Sequence, residues 1–255
     1  MPGNEAGGRF LRALAFVASA AVAAAALRFA WFEPLAAAAI LALFVALGLG
    51  RWLGRRKLRK LLRSGDVDSV LERWSPTLAR IPHPATMAPL MTATAFAAYG
   101  WVDKARATLA TAERGPAWDA ALEHRLFLDA LLLTFEGDRD AALERASRLD
   151  RLPLPTGRGG LHNRVQLLRM AVGALTRAFA HRSHPGDGEL LEHAGESSPL
   201  VFWAMRYGAA VVAIDQGDLA KVHALLAQAP VWPEQSAFKS FHAEIAERAG
   251  LATGE

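Results

Sequence analysis

The 255-residue chain contains no cysteine. Disulfides, thiolate metal sites and cysteine nucleophiles are therefore excluded, although the absence assigns no compartment. Acidic residues are scarce at the start: Met1–Arg63 holds ten Arg and Lys against two acids, a net of +8. The remaining chain holds nineteen basic and twenty-three acidic residues, a net of −4. The overall +4 is thus a local block on a mildly acidic body, which argues against a broad phosphate-binding surface and a nucleic-acid partner. Lysine is also rare, with five against twenty-four arginines, a usage common in chains from GC-rich bacterial genomes. The length suits one or two domains with a sizeable core.

Charge is missing altogether from two early stretches. ALAFVASAAVAAAAL lies between Arg12 and Arg28, and FAWF extends it if Arg28 snorkels to the interface. After Glu33, seventeen uncharged residues run from Pro34 to Gly50. Each stretch approaches the roughly twenty apolar residues that cross a bilayer, and Trp31, Phe32 and Trp52 stand at their ends. The expectation is a disordered N-terminus over 1–9, a transmembrane hairpin over 10–53 and a basic juxtamembrane segment over 54–64. Arg51, Arg55, Arg56, Lys57, Arg59, Lys60 and Arg63 form the strongest cytoplasmic-side signal, and Arg9 and Arg12 place the N-terminus on the same side. The same block suits anionic lipid headgroups. A second reading makes residues 1–26 a cleaved signal peptide and the remainder an exported envelope protein.

From Gly65 onward the pattern is helical, without strand alternation. Gly65-Asp66, Gly100-Trp101, Gly137-Asp138 and Gly217-Asp218 each close one apolar helix and open another. Five residues after the glycines stand Val70, Ala105, Ala142 and Val222; nine after stand Trp74, Leu109, Ala146 and Leu226. Ala93, Ala130 and Ala210 precede three of them by seven, and Pro82, Pro116, Pro153 and Pro230 close the second helices. Small residues permit close helix approach, glycine the turn and proline the stop, which is the pattern of stacked helix hairpins.

In AFAAYGWVDKARATLATAERGP and LLLTFEGDRDAALERASRLDRLP the chain resembles tetratricopeptide (TPR) repeats. The layout of two spans, a basic block and repeats is similar to HemY-type inner-membrane TPR proteins. The fold class expected is all-α: two transmembrane helices followed by a TPR-like α-solenoid over 65–250, irregular near 150–160 and 181–198. The resemblance implies a concave protein-binding groove lined by Met87, Leu90, Thr94, His124, Phe127, Leu131, Thr134, Tyr207, Val211 and Asp215. That groove suits an apolar or amphipathic helix, unless the chain's own helix near Gln235–Arg248 fills it.

Catalytic motifs are absent. HRSHPGDGELLEH offers His181, His184, Glu189 and His193 as four zinc-type ligands, the basis of an alternative metal-dependent enzyme, but without HExxH spacing. TGRGGLHN lacks the strand and GK[ST] of a phosphate loop. Ser197 and Ser198 lie in no nucleophile elbow, and Ser198-Pro199 reads as a helix start. The leading expectation is therefore a non-catalytic, cofactor-free scaffold or assembly factor in the inner membrane, with both termini cytoplasmic and a membrane-proximal protein partner.

Overall fold

The computed structural model describes residues 34–154 and 159–250. The first span and the 1–9 segment lie outside the described residues, as does Pro155–Arg158 of the expected linker. The described residues are all-helical, with no strand among them. The chain divides into two compact units, one ending at Leu58 and one starting at Arg59.

Helix α1, Pro34–Leu62, belongs to the first unit up to Leu58. It is 29 residues long and runs unbroken from the uncharged stretch into the basic block. Most side chains of its first half lie outside the described set. Among the described residues, no helix is long and apolar enough to cross a membrane.

The second unit is built from helix hairpins. Its helices are α2 (Val67–Leu78), α3 (Pro84–Ala98), α4 (Val102–Ala110), the short α5 (Pro116–Ala120), α6 (Leu122–Glu136) and α7 (Arg139–Asp150). There follow α8 (Gly160–Phe179), α9 (Asp187–Ser197), a 3-10 turn (Pro199–Val201), α10 (Phe202–Asp215), α11 (Leu219–Leu226) and α12 (Ala237–Arg248). Helices α3 and α4, α6 and α7, α8 and α9, and α10 and α11 pack as successive pairs.

One local device makes most of these turns. Gly65, Gly100, Gly137 and Gly217 all adopt left-handed backbone, with φ between 75° and 84°. At the last three, the next residue donates its N–H back to the carbonyl five positions earlier: Trp101 to Phe96, Asp138 to Leu133 and Asp218 to Ala213. This is the Schellman closure, which satisfies carbonyls orphaned at a helix end. Where aspartate follows the glycine it also opens the next helix, because Asp66, Asp138 and Asp218 accept from the N–H three residues on. The positions five residues after the glycines, Val70, Ala105, Ala142 and Val222, are 0–1% exposed. Ala93, Ala130 and Ala210 are 0% exposed, and Ala93 packs in one cluster with Ala105.

The 80-residue interval between Gly137 and Gly217 hides a further instance. His181 takes the left-handed place with φ 54°, and Arg182 N–H reaches the Arg177 carbonyl. The region expected to be irregular over 181–198 is mostly the regular helix α9. The irregular part is confined to its entry, where the Arg177 guanidinium grips the Asp187 carboxylate at 2.6 and 2.9 Å. The Asp187 carboxylate also accepts from the His184 backbone N–H. A Pro-Gly-Asp-Gly connector is thereby a fixed corner.

The C-terminal segment folds back across the unit. Ser236 Oγ donates to the Tyr99 carbonyl at 2.7 Å, and Ala237 N–H to the Gly100 carbonyl at 2.8 Å. Trp232, Tyr207, Trp203 and Phe238 form one aromatic cluster, which Phe135, Phe179 and Phe241 continue. Trp232 Nε1 donates to Tyr207 Oη at 2.6 Å, and Tyr207 Oη donates on to His242 Nδ1 at 3.1 Å. Burial holds the His242 pKa below its usual value, which favours the neutral ring. Tyr207→Phe removes the acceptor of a buried indole N–H. It is expected to lower the unfolding free energy by about 1–3 kcal/mol in urea titrations; an unchanged midpoint would contradict the network.

Candidate functional site

The ten residues expected to line a concave groove fall into two sets in the structure. Leu90 and Leu131 are core residues at 0% exposure. Tyr207 is equally buried, in the aromatic cluster under α12. Thr134 and Val211 border a cavity of about 300 Å³ whose other wall is Phe241, Glu244, Ile245 and Arg248 of α12. Asp215, on the exposed end of α10, pairs with His181 Nδ1 at 2.9 Å. The chain's own C-terminal helix thus covers this part and leaves a cavity beneath it.

The other four residues stay together. Met87 and Thr94 from α3 and His124 and Phe127 from α6 face a cavity of about 490 Å³. Its remaining walls are mostly apolar and come from α5, α7, α8 and the 3-10 turn, including Leu149, Val165, Leu168, Leu200 and Val201. Pro84 starts α3 as a proline in the first turn, after His83 in left-handed backbone. Thr86 fastens that end of α3 by donating Oγ1–H to the Glu113 carbonyl at 2.9 Å.

Two polar groups on the cavity wall, Thr94 and Arg169, are already committed. Thr94 gives its one hydroxyl proton to the Leu90 carbonyl at 2.8 Å and accepts from His124 Nε2 at 2.8 Å. Arg169 is only 4% exposed. It donates Nε to Glu123 Oε1 at 2.9 Å, and its terminal nitrogens donate to the Leu152 and Pro153 carbonyls at 2.6 and 3.2 Å. A charge this buried is tolerable only when paired and hydrogen-bonded. Arg169 therefore ties the residues after α7 to α6 and fixes one wall. Sequence reasoning missed it, because a lone arginine in an amphipathic helix reads as a solvated side chain.

The basic block also divides. Arg51, Arg56, Lys57, Arg59 and Lys60 are exposed on α1; the Arg55 side chain lies outside the described set. Arg63 belongs to the second unit: its guanidinium pairs with Glu196 and lies 4.1 Å over the Phe202 ring, while its carbonyl accepts from Trp203 Nε1. It is a structural residue.

The four zinc-type ligands do not converge. His181 is turned to Asp215, Glu189 lies 3.8 Å from Lys221 Nζ, and His193 is exposed. Among the described residues, no group of three or more His, Asp or Glu is placed to hold a metal. Ser198 stands at the start of the 3-10 turn with Pro199 next, though its hydroxyl makes no cap bond. No protein-family model, curated protein or solved structure matches the chain.

Burial pushes the His124 pKa down against the smaller opposing pull of Glu123. A histidine depressed in the fold stabilises it fully above the unfolded pKa of about 6.5, and loses that contribution as the pH falls below this value toward the folded pKa. Stability is therefore expected to fall as the pH drops below about 6.5. His124→Gln, which keeps an N–H for Thr94, should flatten part of that slope in urea titrations at several pH values. A slope identical to the parent's would contradict a neutral buried His124.

Proposed function

We propose that the protein is a membrane-anchored, non-catalytic scaffold or assembly factor whose TPR-like helix hairpins engage a membrane-proximal partner protein. The observation that carries the reading is the continuity of α1, which runs unbroken from the uncharged stretch into the basic block. At about 100° per residue, Arg51, Arg55, Arg56, Lys57, Arg59 and Lys60 spread over roughly two thirds of the helix circumference and leave an arc occupied by Gly54, Leu58 and Leu61. Val45, Leu49, Trp52 and Leu53, exposed large apolar side chains just before the block, suit lipid contact. Arg56 lies 5.3 Å over the Trp52 ring, an interfacial pairing. The exposed basic residues would each add roughly 1 kcal/mol of attraction to an anionic leaflet.

Anchoring supports a weak binding module by raising its effective concentration beside a membrane partner. The apolar surface round Met87 and Phe127 is the part of the expected groove not filled by α12. The proposed location is the bacterial inner membrane, with the repeats in the cytoplasm.

The missing cysteines supply the test. Ser75, exposed on α2, becomes the only thiol in a Ser75→Cys chain. In spheroplasts, a membrane-impermeant maleimide is expected to label the membrane fraction only after lysis. Labelling before lysis would reverse the topology and favour export. For the partner, a photo-crosslinking amino acid at Phe127 should give a discrete heavier adduct that Met87→Glu removes; no adduct in membranes would contradict partner binding there.

A further inference from the structure

The cavity between α3, α6 and α8 has a chemistry that goes beyond a surface for a partner helix. Its deep end is formed by Leu149, Val201 and Thr94, at 1%, 3% and 6% exposure. Its mouth carries the half-exposed Glu123 and the hydroxyl of Ser198. Between them the walls are Phe127, Val165, Leu168 and Leu200.

Three occupants can be compared. Ordered water needs two to four polar partners apiece, yet Thr94, His124 and Arg169 are bonded within the protein. A helix about 10–12 Å across can lie over the mouth but cannot enter. An extended peptide would carry backbone amides into a wall without free partners, a costly burial. A hydrocarbon chain brings no polar group below its head.

We propose that this cavity binds one unbranched acyl chain of about twelve carbons, each filling roughly the 30 Å³ share of a water molecule with some space unfilled, its polar end at the mouth beside the Ser198 hydroxyl. The fit is to the volume of about 490 Å³ and to the spent hydrogen-bonding groups of the wall. The ligand would come from a membrane amphiphile, either a free fatty acid or a lysolipid.

The experiment uses the full chain in lipid nanodiscs and dodecanoic acid carrying a terminal diazirine, with a lysophospholipid of the same acyl group as a second arm. After illumination, peptide mapping is expected to place the label at the deep end, on the peptides that hold Thr94, Leu149 and Val201. Labelling by the acid alone assigns a free fatty acid, and labelling by the lysolipid assigns a lipid; either supports the site. Unlabelled saturated acids should compete with potency rising about fourfold per methylene, levelling near twelve carbons. Val165→Trp, which fills the cavity, should reduce label on these peptides at least tenfold with circular dichroism unchanged. If that variant does not fold, the chain-length series on the parent chain decides. Label confined to α1, or competition indifferent to chain length, would overturn the proposal. A partner adduct from position 127 without cavity labelling would overturn it and leave the scaffold standing.

Discussion

The C-terminal segment can close the helix array only because two of the turn glycines have no side chain. A Cβ on Gly100 would stand 2.8 Å from Ser236 Oγ and 3.0 Å from the Phe238 ring; one on Gly65 would stand 2.7 Å from Pro230. The same left-handed glycine that ends a helix thus serves as a seat for a strap more than a hundred residues away. Gly137 and Gly217 make the turn alone, with nothing within 4 Å of the corresponding position. Conformational need is common to all four, and the steric need belongs to the first two.

Much of the interior follows from that closure. Once residues 230–238 lie against the Tyr99–Gly100 corner, Trp232 and Phe238 are held against Tyr207, and α12 covers the α6–α10 side of the unit. Tyr99 Oη donates to the Leu62 carbonyl and Trp203 Nε1 to the Arg63 carbonyl, so the residues entering the second unit join the same knot. A repeat array with free ends would offer one continuous concave face. Here part of that face is core, part is covered by α12, and four of the expected residues line the cavity near Met87 and Phe127. The functional reading narrows accordingly, from a groove of ten residues to four.

Local chemistry was legible in the sequence, and distant contact was not. Glycine at a fixed offset from small residues marks a left-handed turn with a close helix crossing, because few residues tolerate either. Those turns are where the sequence places them. His181 escaped because histidine in the left-handed region is uncommon and carries no spacing signature. The Ser236–Tyr99 bond joins residues 137 apart, and nothing periodic connects them. Helix α12 was readable as a helix near Gln235–Arg248. Its partners, Phe135 and Phe179, could be any apolar residues of the right size. Arg169 was illegible for the opposite reason, since its burial depends on two carbonyls beyond the end of another helix. The charge block was read as one feature, but Arg63 had already been taken by Glu196 and Phe202.

The central claim is that glycine at position 100 is required by the strap, over and above its backbone conformation. Gly100→Ala and Gly137→Ala impose the same left-handed strain, at φ 75° and 84°, and differ only in what the new methyl meets. Urea unfolding of the two variants separates the effects directly. The account predicts that Gly100→Ala costs about 1–3 kcal/mol more than Gly137→Ala, the usual penalty of overpacking a filled site. Equal losses would show that the segment from Pro230 to Phe238 does not rest on this corner, and would contradict the closed array.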